Sequence, residues 1–270
     1  MRLQNIRHTV LTLLCHVKPI DFRRRTRAAA VHLLISLALA ALVAALVFGL
    51  WYPGAFRLLS GGRELFFLVI AVDVVLGPLL TFTVFDLSKG WPHLRRDLAL
   101  IALIQLGALG YGLYTVLLAR PVAMVFEVDR FRVLTSEQVL LSELPQARPE
   151  YRSLPLTGPW LLGTRLPSRG PESNEALLTS IDGVDIGQRP RFWQPYSEST
   201  TDALARSRPV AVLLAHYPQR AAELNSRLRD LKIDPASVAF LPVMARGDWV
   251  ALLDPDGSIV GFLPVDGFFR

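Results

Sequence analysis

Residues 28–51 read AAAVHLLISLALAALVAALVFGLW, an apolar run of 24 residues without one charged side chain. Because a helix rises about 1.5 Å per residue, a run of this length crosses the hydrocarbon core of a bilayer, which is about 30 Å thick. Two further apolar runs, at residues 65–85 and 98–119, are long enough as well. The sequence therefore predicts an α-helical membrane anchor with three transmembrane helices, which together occupy residues 28–120.

Composition and charge agree with a membrane protein. The chain is 51% hydrophobic with a mean hydropathy of +0.36, which is uncommon in soluble globular proteins. Residues 1–120 contain 13 Lys and Arg against 5 Asp and Glu, whereas residues 121–270 contain 16 against 18. The basic surplus belongs to the membrane half, where it indicates topology and a lipid bilayer as partner, and no nucleic acid. The single cysteine, Cys15, excludes an internal disulfide and a cysteine-based redox or metal centre.

The distribution of arginine predicts the orientation in the membrane. The basic segment 1–27 carries arginines at positions 23–25 and 27, whereas the connection between the first two spans has only Arg57 and Arg63. Basic flanks stay in the cytoplasm, so we expect a cytoplasmic N-terminus in a bacterial inner membrane. Three crossings then place residues 121–270 in the periplasm. No small-residue cleavage site follows the first span, which we expect to remain as a signal anchor.

Ahead of the anchor, apolar residues recur at helical spacing within residues 1–17, and Pro19 follows. Two interpretations stay open for this segment. It is either an interfacial helix that lies on the inner leaflet or a frayed cytoplasmic tail.

Asp73 is an acidic residue in the middle of the second predicted span. A carboxylate at that depth costs at least about 2.5 kcal/mol unless it is paired or neutral, so we expect it to have a role. Gln105 and Tyr111 in the third span are its candidate partners, and Gly77 and Pro78 predict a break in the second helix. Three roles stay open for Asp73: holding the three helices together, recognising a partner helix, and proton transport.

Residues 121–270 are predicted to form a small α+β domain outside the cytoplasm. Its order of strand, helix, strand and hairpin resembles a thioredoxin-like topology. The predicted strands are residues 122–134, 209–216, 238–244, 249–253 and 259–263, of which the last two form an antiparallel hairpin. The predicted helices are residues 199–206 and 218–231, and residues 145–191 are mostly loop with a short helical pattern at 175–181.

This outer domain has no pattern typical of a catalytic or metal site. His216 is its only histidine, so a multi-histidine metal centre is impossible, and no GxSxG motif surrounds a serine. Asp254, Asp256 and Gly257 predict a plain turn, because the alternating ligands of a calcium loop are missing. We therefore expect neither an enzyme nor a bound cofactor.

Aromatic residues lie in or beside the predicted loops of the outer domain, interleaved with arginine. Such residues are common in interface hot spots, but they also close the cores of small domains. Both interpretations stay open for this set, which comprises Trp160, Phe192, Trp193, Tyr196, Phe268 and Phe269.

Several short motifs carry a resemblance to a known family. They are residues 49–54 (GLWYPG), 60–65 (SGGREL), 73–81 (DVVLGPLLT), 119–121 (ARP), 125–131 (VFEVDRF), 261–264 (GFLP) and 266–268 (DGF). With these motifs the chain resembles the TfpX/TfpZ family of type IV pilin accessory proteins. The resemblance implies an inner-membrane helper that promotes assembly or surface display of a type IV pilin, by contacting the pilin subunit or the pilus assembly machinery.

The sequence thus predicts an assembly partner rather than an enzyme, with a membrane-anchored ligand-binding or sensor module as the alternative. The candidate partner-contact residues are Asp73, Gly77, Pro78, Gln105, Trp193 and Tyr196.

Overall fold

The computed structural model describes residues 21–269, so the predicted interfacial helix at residues 1–17 lies outside the described residues. Three of its helices are long and apolar enough to cross a membrane: Phe22–Trp51, Gly62–Val84 and Trp91–Leu118. These segments confirm the three predicted spans. Each helix begins before its predicted span. Its first turns carry charged side chains, which are compatible with a helix but not with the hydrocarbon core of a membrane. The chain is a multi-pass membrane protein.

The helices of the anchor are named in chain order. They are α1 (Phe22–Leu46, extended by a π-helical turn at Val47–Trp51), the short α2 (Phe56–Leu59), α3 (Gly62–Val84) and α4 (Trp91–Leu118). The predicted break at Gly77 and Pro78 is wrong, since α3 runs through both residues. A bilayer offers the main chain no water to replace its hydrogen bonds, which favours an unbroken helix even where proline removes one donor.

The chain separates into two compact units. Within the described residues, one contains residues 21–41 and Val69–Gly110, and the other contains Leu42–Leu68 and residues 111–269. The second unit therefore includes the ends of the spans together with the whole outer domain.

The outer domain is an α+β structure around one mixed sheet of eight strands. Its strands are β1 (Pro121–Glu127), β2 (Arg130–Thr135), β3 (Trp160–Thr164), β4 (Trp193–Pro195), β5 (Arg208–Pro209), β6 (Ala239–Ala245), β7 (Gly247–Leu253) and β8 (Ile259–Leu263). Its helices are α5 (Pro171–Ile181), α6 (Thr200–Arg206), α7 (Val210–His216) and α8 (Ala221–Asp230). The strand order is β4-β3-β1-β2-β6-β7-β8, and β5 pairs with β6. The pairs β1–β3 and β2–β6 are parallel, and the others are antiparallel.

Successive residues of a strand point to opposite faces of a sheet, and here apolar side chains pack on both faces. On one face, Phe240 and Leu252 pack with Leu213 of α7 and with Leu224 and Leu228 of α8. The other face carries a second cluster that includes Phe126, Phe131 and Leu241. The predicted helices at 199–206 and 218–231, the strand at 238–244 and the final hairpin are all confirmed in type.

Three predictions within the domain are wrong. Residues 209–216 are not a buried strand but the two-residue β5 followed by α7, since an apolar run without alternation fits either structure. Residues 122–134 are not one strand but the hairpin β1–β2, whose turn places Val128 at a φ of 55° without a glycine to signal it. The strand β3 lies in the predicted loop, and it pairs with β1 across a long separation in sequence.

Candidate functional site

A polar cluster lies among the three spans in the first compact unit. The side-chain nitrogen Nε2 of Gln105 donates to the backbone oxygen of Asp73 at 3.3 Å. His32 Nδ1 lies 2.5 Å from the hydroxyl of Thr81. Asp73 is only 7% exposed, and its Oδ1 atom is buried without a hydrogen-bond partner in residues 21–269. Each span thus contributes polar groups to one interior site.

Gly77 explains how these side chains fit together. A Cβ atom at this position would collide with Nε2 of Gln105 and approach Nε2 of His32 to 2.9 Å. Small residues at helix contacts let neighbouring backbones and polar side chains come close in a membrane. Gly77 is therefore a packing position of the cluster.

A cavity of about 220 Å³ adjoins the cluster and is lined in part by His32, Ser36, Asp73 and Gln105. Most of the other lining residues are apolar, among them Ile35, Leu39 and Ile70, so the cavity is a largely apolar space with a few polar groups on its wall. No group of three or more His, Cys, Asp or Glu side chains within residues 21–269 could hold a metal ion. Chemically, the site can share protons and hydrogen bonds among buried groups.

Three of the candidate contact residues therefore meet in the interior, since Asp73, Gly77 and Gln105 face one another. Pro78 is half-buried in the next position of α3. Tyr111, the other candidate partner of Asp73, is 75% exposed. The hydrogen bond from Gln105 reaches the backbone oxygen of Asp73 and not its carboxylate, so the three roles left open for Asp73 stay predictions.

His32 belongs to this cluster, and sequence reasoning missed it. The available signal was the pair His32 and Ser36, polar residues four apart in an otherwise apolar run, which share one face of a helix. The contact of His32 with Thr81 depends on helix packing, which the sequence does not reveal.

Trp193 and Tyr196 lie in the core of the outer domain, so their assignment as partner contacts is corrected. Trp193 is 1% exposed, and its indole N–H donates to the carbonyl of Gly187 at 2.7 Å. The Tyr196 hydroxyl donates to the carbonyl of Gly257 at 2.8 Å. Burial raises the pKa of Tyr196 to about 12, which keeps this hydroxyl a donor at physiological pH.

Buried ion pairs stabilise the same domain. Glu127 accepts hydrogen bonds from Arg132 Nε at 2.6 Å and from the backbone N–H of Gly187 at 2.9 Å. Arg189, which is 1% exposed, donates to Glu143 and to Glu175, each at 2.7 Å through Nη2. Glu175 belongs to α5, so this helix is attached to the domain through a buried arginine.

The helix α5 is unusual because none of its residues is buried. Three apolar side chains near its C-terminal end are largely exposed: Leu177 at 64%, Leu178 at 64% and Ile181 at 74%. Clustered exposed apolar residues on a folded domain typically mark an interaction site. We call these three residues the α5 patch.

The connection between the first two spans is built into the outer domain. Leu59 is fully buried in the cluster that contains Phe126 and Phe131. Its carbonyl accepts a hydrogen bond from the backbone N–H of Arg246 at 2.8 Å. Tyr52, fully buried as well, donates its hydroxyl to the carbonyl of Val116 at 3.1 Å. We call this region, residues 50–62 with their contacts in the second unit, the junction.

Comparisons with known proteins identify relatives. Residues 20–61 match the family model of the fimbrial assembly protein FimB. The fimbrial assembly protein of serogroup I from Dichelobacter nodosus is 37% identical over 88% of this chain and 94% of its own. Its serogroup E1 counterpart is 35% identical over the same shares. The protein of serogroups C1 and C2 is 48% identical over 43% of this chain and 89% of its own.

No solved structure matches the chain, and the thioredoxin-like likeness of the outer domain stays a prediction. The resemblance to the TfpX/TfpZ family also stays a prediction. Relatives that align with nearly the whole chain nevertheless establish its family. The chain belongs to the family of fimbrial assembly proteins that these relatives represent.

Proposed function

We propose that this protein is a non-enzymatic factor of the bacterial inner membrane that promotes fimbrial assembly by contacting the type IV pilin subunit. Its family supports the role in assembly, and its three spans support a site of action in the membrane. The arginine-rich flank at residues 23–27 supports a cytoplasmic N-terminus and a periplasmic outer domain.

The junction supports the odd number of crossings. Leu59 belongs to the connection between α1 and α3, yet it packs in the core of the domain that follows α4. This packing supports the proposal that the connection and the domain lie on one side of the membrane and the N-terminus on the other.

The observation that carries the pilin contact is the α5 patch. An assembly factor whose outer domain lies outside the cytoplasm would present an exposed apolar surface to pilin. The patch lies on a helix that contributes no buried residue to its own domain. Contact with a partner is therefore the function that these three exposed apolar residues support best. The polar cluster around Asp73 then serves the packing of the spans.

Site-directed photo-crosslinking in the native host tests this contact. A photoreactive residue at Leu178 should yield a covalent adduct with pilin. The matched control is Leu156, which is 71% exposed in the same domain but lies outside α5. Equal adducts at both positions, or none at Leu178, would contradict the proposal.

A genetic experiment tests whether the contact matters. In a strain lacking the gene, the triple substitution Leu177→Ser, Leu178→Ser and Ile181→Ser should restore the protein but few surface fimbriae, with total pilin unchanged. Exposed substitutions rarely change stability by more than about 0.5 kcal/mol, so protein abundance should match wild type. Leu156→Ser should complement fully. Normal fimbriation in the strain without the gene would instead favour the sensor alternative.

A further inference from the structure

A second cavity, of about 340 Å³, lies at the junction in the second compact unit. Its lining combines the connection between the first two spans with the C-terminal ends of β2 and β6 and the residues that follow them. The lining residues are Leu59, Ser60, Arg132, Val133, Thr135, Gln138, Met244, Ala245 and Arg246. Two of these residues are arginines and none is acidic, so the cavity presents positive charge.

The two arginines differ in what surrounds them. Arg132 is already neutralised, since it pairs with Glu127 at 2.6 Å and also with Asp185. The structure gives Arg246 no ion-pair partner within residues 21–269. The uncompensated charge of the cavity is therefore that of Arg246.

The position of Arg246 is fixed by the junction. Its backbone N–H donates to the carbonyl of Leu59 at 2.8 Å, and its side chain lies directly against Gly61. Gly61 has a φ of +67° and lacks a Cβ, which leaves room for the guanidinium. A cation held in this way is pre-organised for an anionic ligand.

Ser60 adds an unused polar group on the same wall. Its hydroxyl oxygen is buried and has no hydrogen-bond partner in the described part of the chain. Buried polar groups are normally paired, so an unpaired one beside a cavity points to a ligand or water that completes it. A hydroxyl and a guanidinium are the donors that phosphate oxygens accept from.

The position of the cavity along the chain indicates whether its phosphate group belongs to a lipid or is free phosphate. The span α3 begins at Gly62, directly after Ser60 and Gly61, so the cavity lies where the chain enters the bilayer. Lipid phosphate groups occupy this level of a membrane. We propose that the cavity binds the phosphate group of an anionic phospholipid, with Arg246 and Ser60 as its donors.

Thermal unfolding of the full-length protein in detergent tests the proposal, with tryptophan fluorescence as the readout. Short-chain phosphatidylglycerol, short-chain phosphatidylcholine and inorganic phosphate are titrated separately. Phosphatidylglycerol should raise the melting temperature at the lowest concentration. Arg246→Gln should weaken its apparent affinity by roughly fivefold to tenfold, the effect of one interfacial arginine. Ser60→Ala should weaken it less.

Arg57→Gln is the matched control, because Arg57 is an exposed arginine of the same connection that does not line the cavity. It should leave the affinity nearly unchanged. Since Arg246→Gln retains the backbone N–H that donates to the carbonyl of Leu59, the unliganded variant should melt close to wild type. Equal losses for Arg57→Gln and Arg246→Gln would overturn the site in favour of general surface attraction. Equal stabilisation by inorganic phosphate would overturn its assignment to lipid.

Discussion

Glu127 is a carboxylate at the end of β1 that is only 3% exposed. Burial raises its pKa above the ordinary value, against the opposing effect of Arg132. Because the folded state then binds a proton more tightly than the unfolded state, Glu127 favours folding at low pH, and this contribution is lost as the pH rises through the raised pKa.

We expect the wild type to gain stability relative to Glu127→Gln as the pH falls from neutral toward the ordinary glutamate range. Glutamine keeps the shape of the side chain but does not titrate. Chemical unfolding of the two proteins in detergent across this pH range measures the difference.

Glu198→Gln is the control with the opposite sign. The bidentate hydrogen bonds from Arg148, each 2.7 Å long, lower the pKa of Glu198. Its contribution to stability is present above the ordinary glutamate pKa and is lost as the pH falls through the lowered one. The same pH dependence for both variants would refute the role assigned to burial at Glu127.

Single residues also show how far the sequence predicts a site. The prediction that Asp73 needs neighbours inside the membrane depends only on the cost of burying a carboxylate, and it stays a prediction, since the buried Oδ1 atom has no hydrogen-bond partner in residues 21–269. Gln105 is indeed close, but it contacts the backbone of Asp73 rather than its carboxylate. Rotation of each helix about its axis decides such contacts, and an apolar span gives little sign of that rotation.

At the level of elements, α5 depends on ion pairs rather than on apolar burial. Arg189 is 1% exposed and contacts both Glu143, which is buried, and Glu175, which is about half exposed. Removing one partner of a buried pair leaves a buried charge, which typically costs about 3–5 kcal/mol, whereas an exposed pair contributes at most about 1 kcal/mol.

We therefore expect Arg189→Gln to lower the free energy of unfolding by up to about 3 kcal/mol, because Glu143 would lose its shorter ion pair and keep only the contact with Arg191 Nε at 3.4 Å. Glu175→Gln should cost less than about 1 kcal/mol. It should nevertheless speed amide hydrogen exchange across residues 171–181, since it removes the ion pairs that join the helix to Arg189 and Arg191. Thermal unfolding and hydrogen exchange distinguish the two effects. Similar global losses for the two variants would contradict this account.

The errors made for whole elements share a physical cause. The periodicity of apolar residues identified α8, whose Leu224 and Leu228 are fully buried on one face. It failed for residues 210–216, where the run is too short and too uniformly apolar to distinguish a strand from a helix. The strand β3 was missed because its partner β1 lies far away in sequence, and parallel pairing leaves no local signal.

For the whole molecule, the junction decides whether the outer domain is joined rigidly to the ends of its spans or hangs on a linker. Gly62 is its most constrained position. A Cβ atom there would collide with the ring of Tyr52, which is fully buried and bonded through its hydroxyl to Val116. Gly49 offers a comparison in the preceding span, because a Cβ atom there would meet no atom within 4 Å.

We expect Gly62→Ala to destabilise the protein by about 1–3 kcal/mol, the usual effect of overpacking a filled site. Gly49→Ala should be neutral or stabilising by up to about 1 kcal/mol, since alanine favours a helix. Melting temperature in detergent measures both effects, and surface fimbriae in a complemented deletion strain measure their consequence. If rigid attachment positions the outer domain for a membrane-anchored partner, Gly62→Ala should lower fimbriation at equal protein abundance while Gly49→Ala restores it. A lower melting temperature with normal fimbriation would show that assembly tolerates a loosened junction, and the rigid attachment would then serve stability alone.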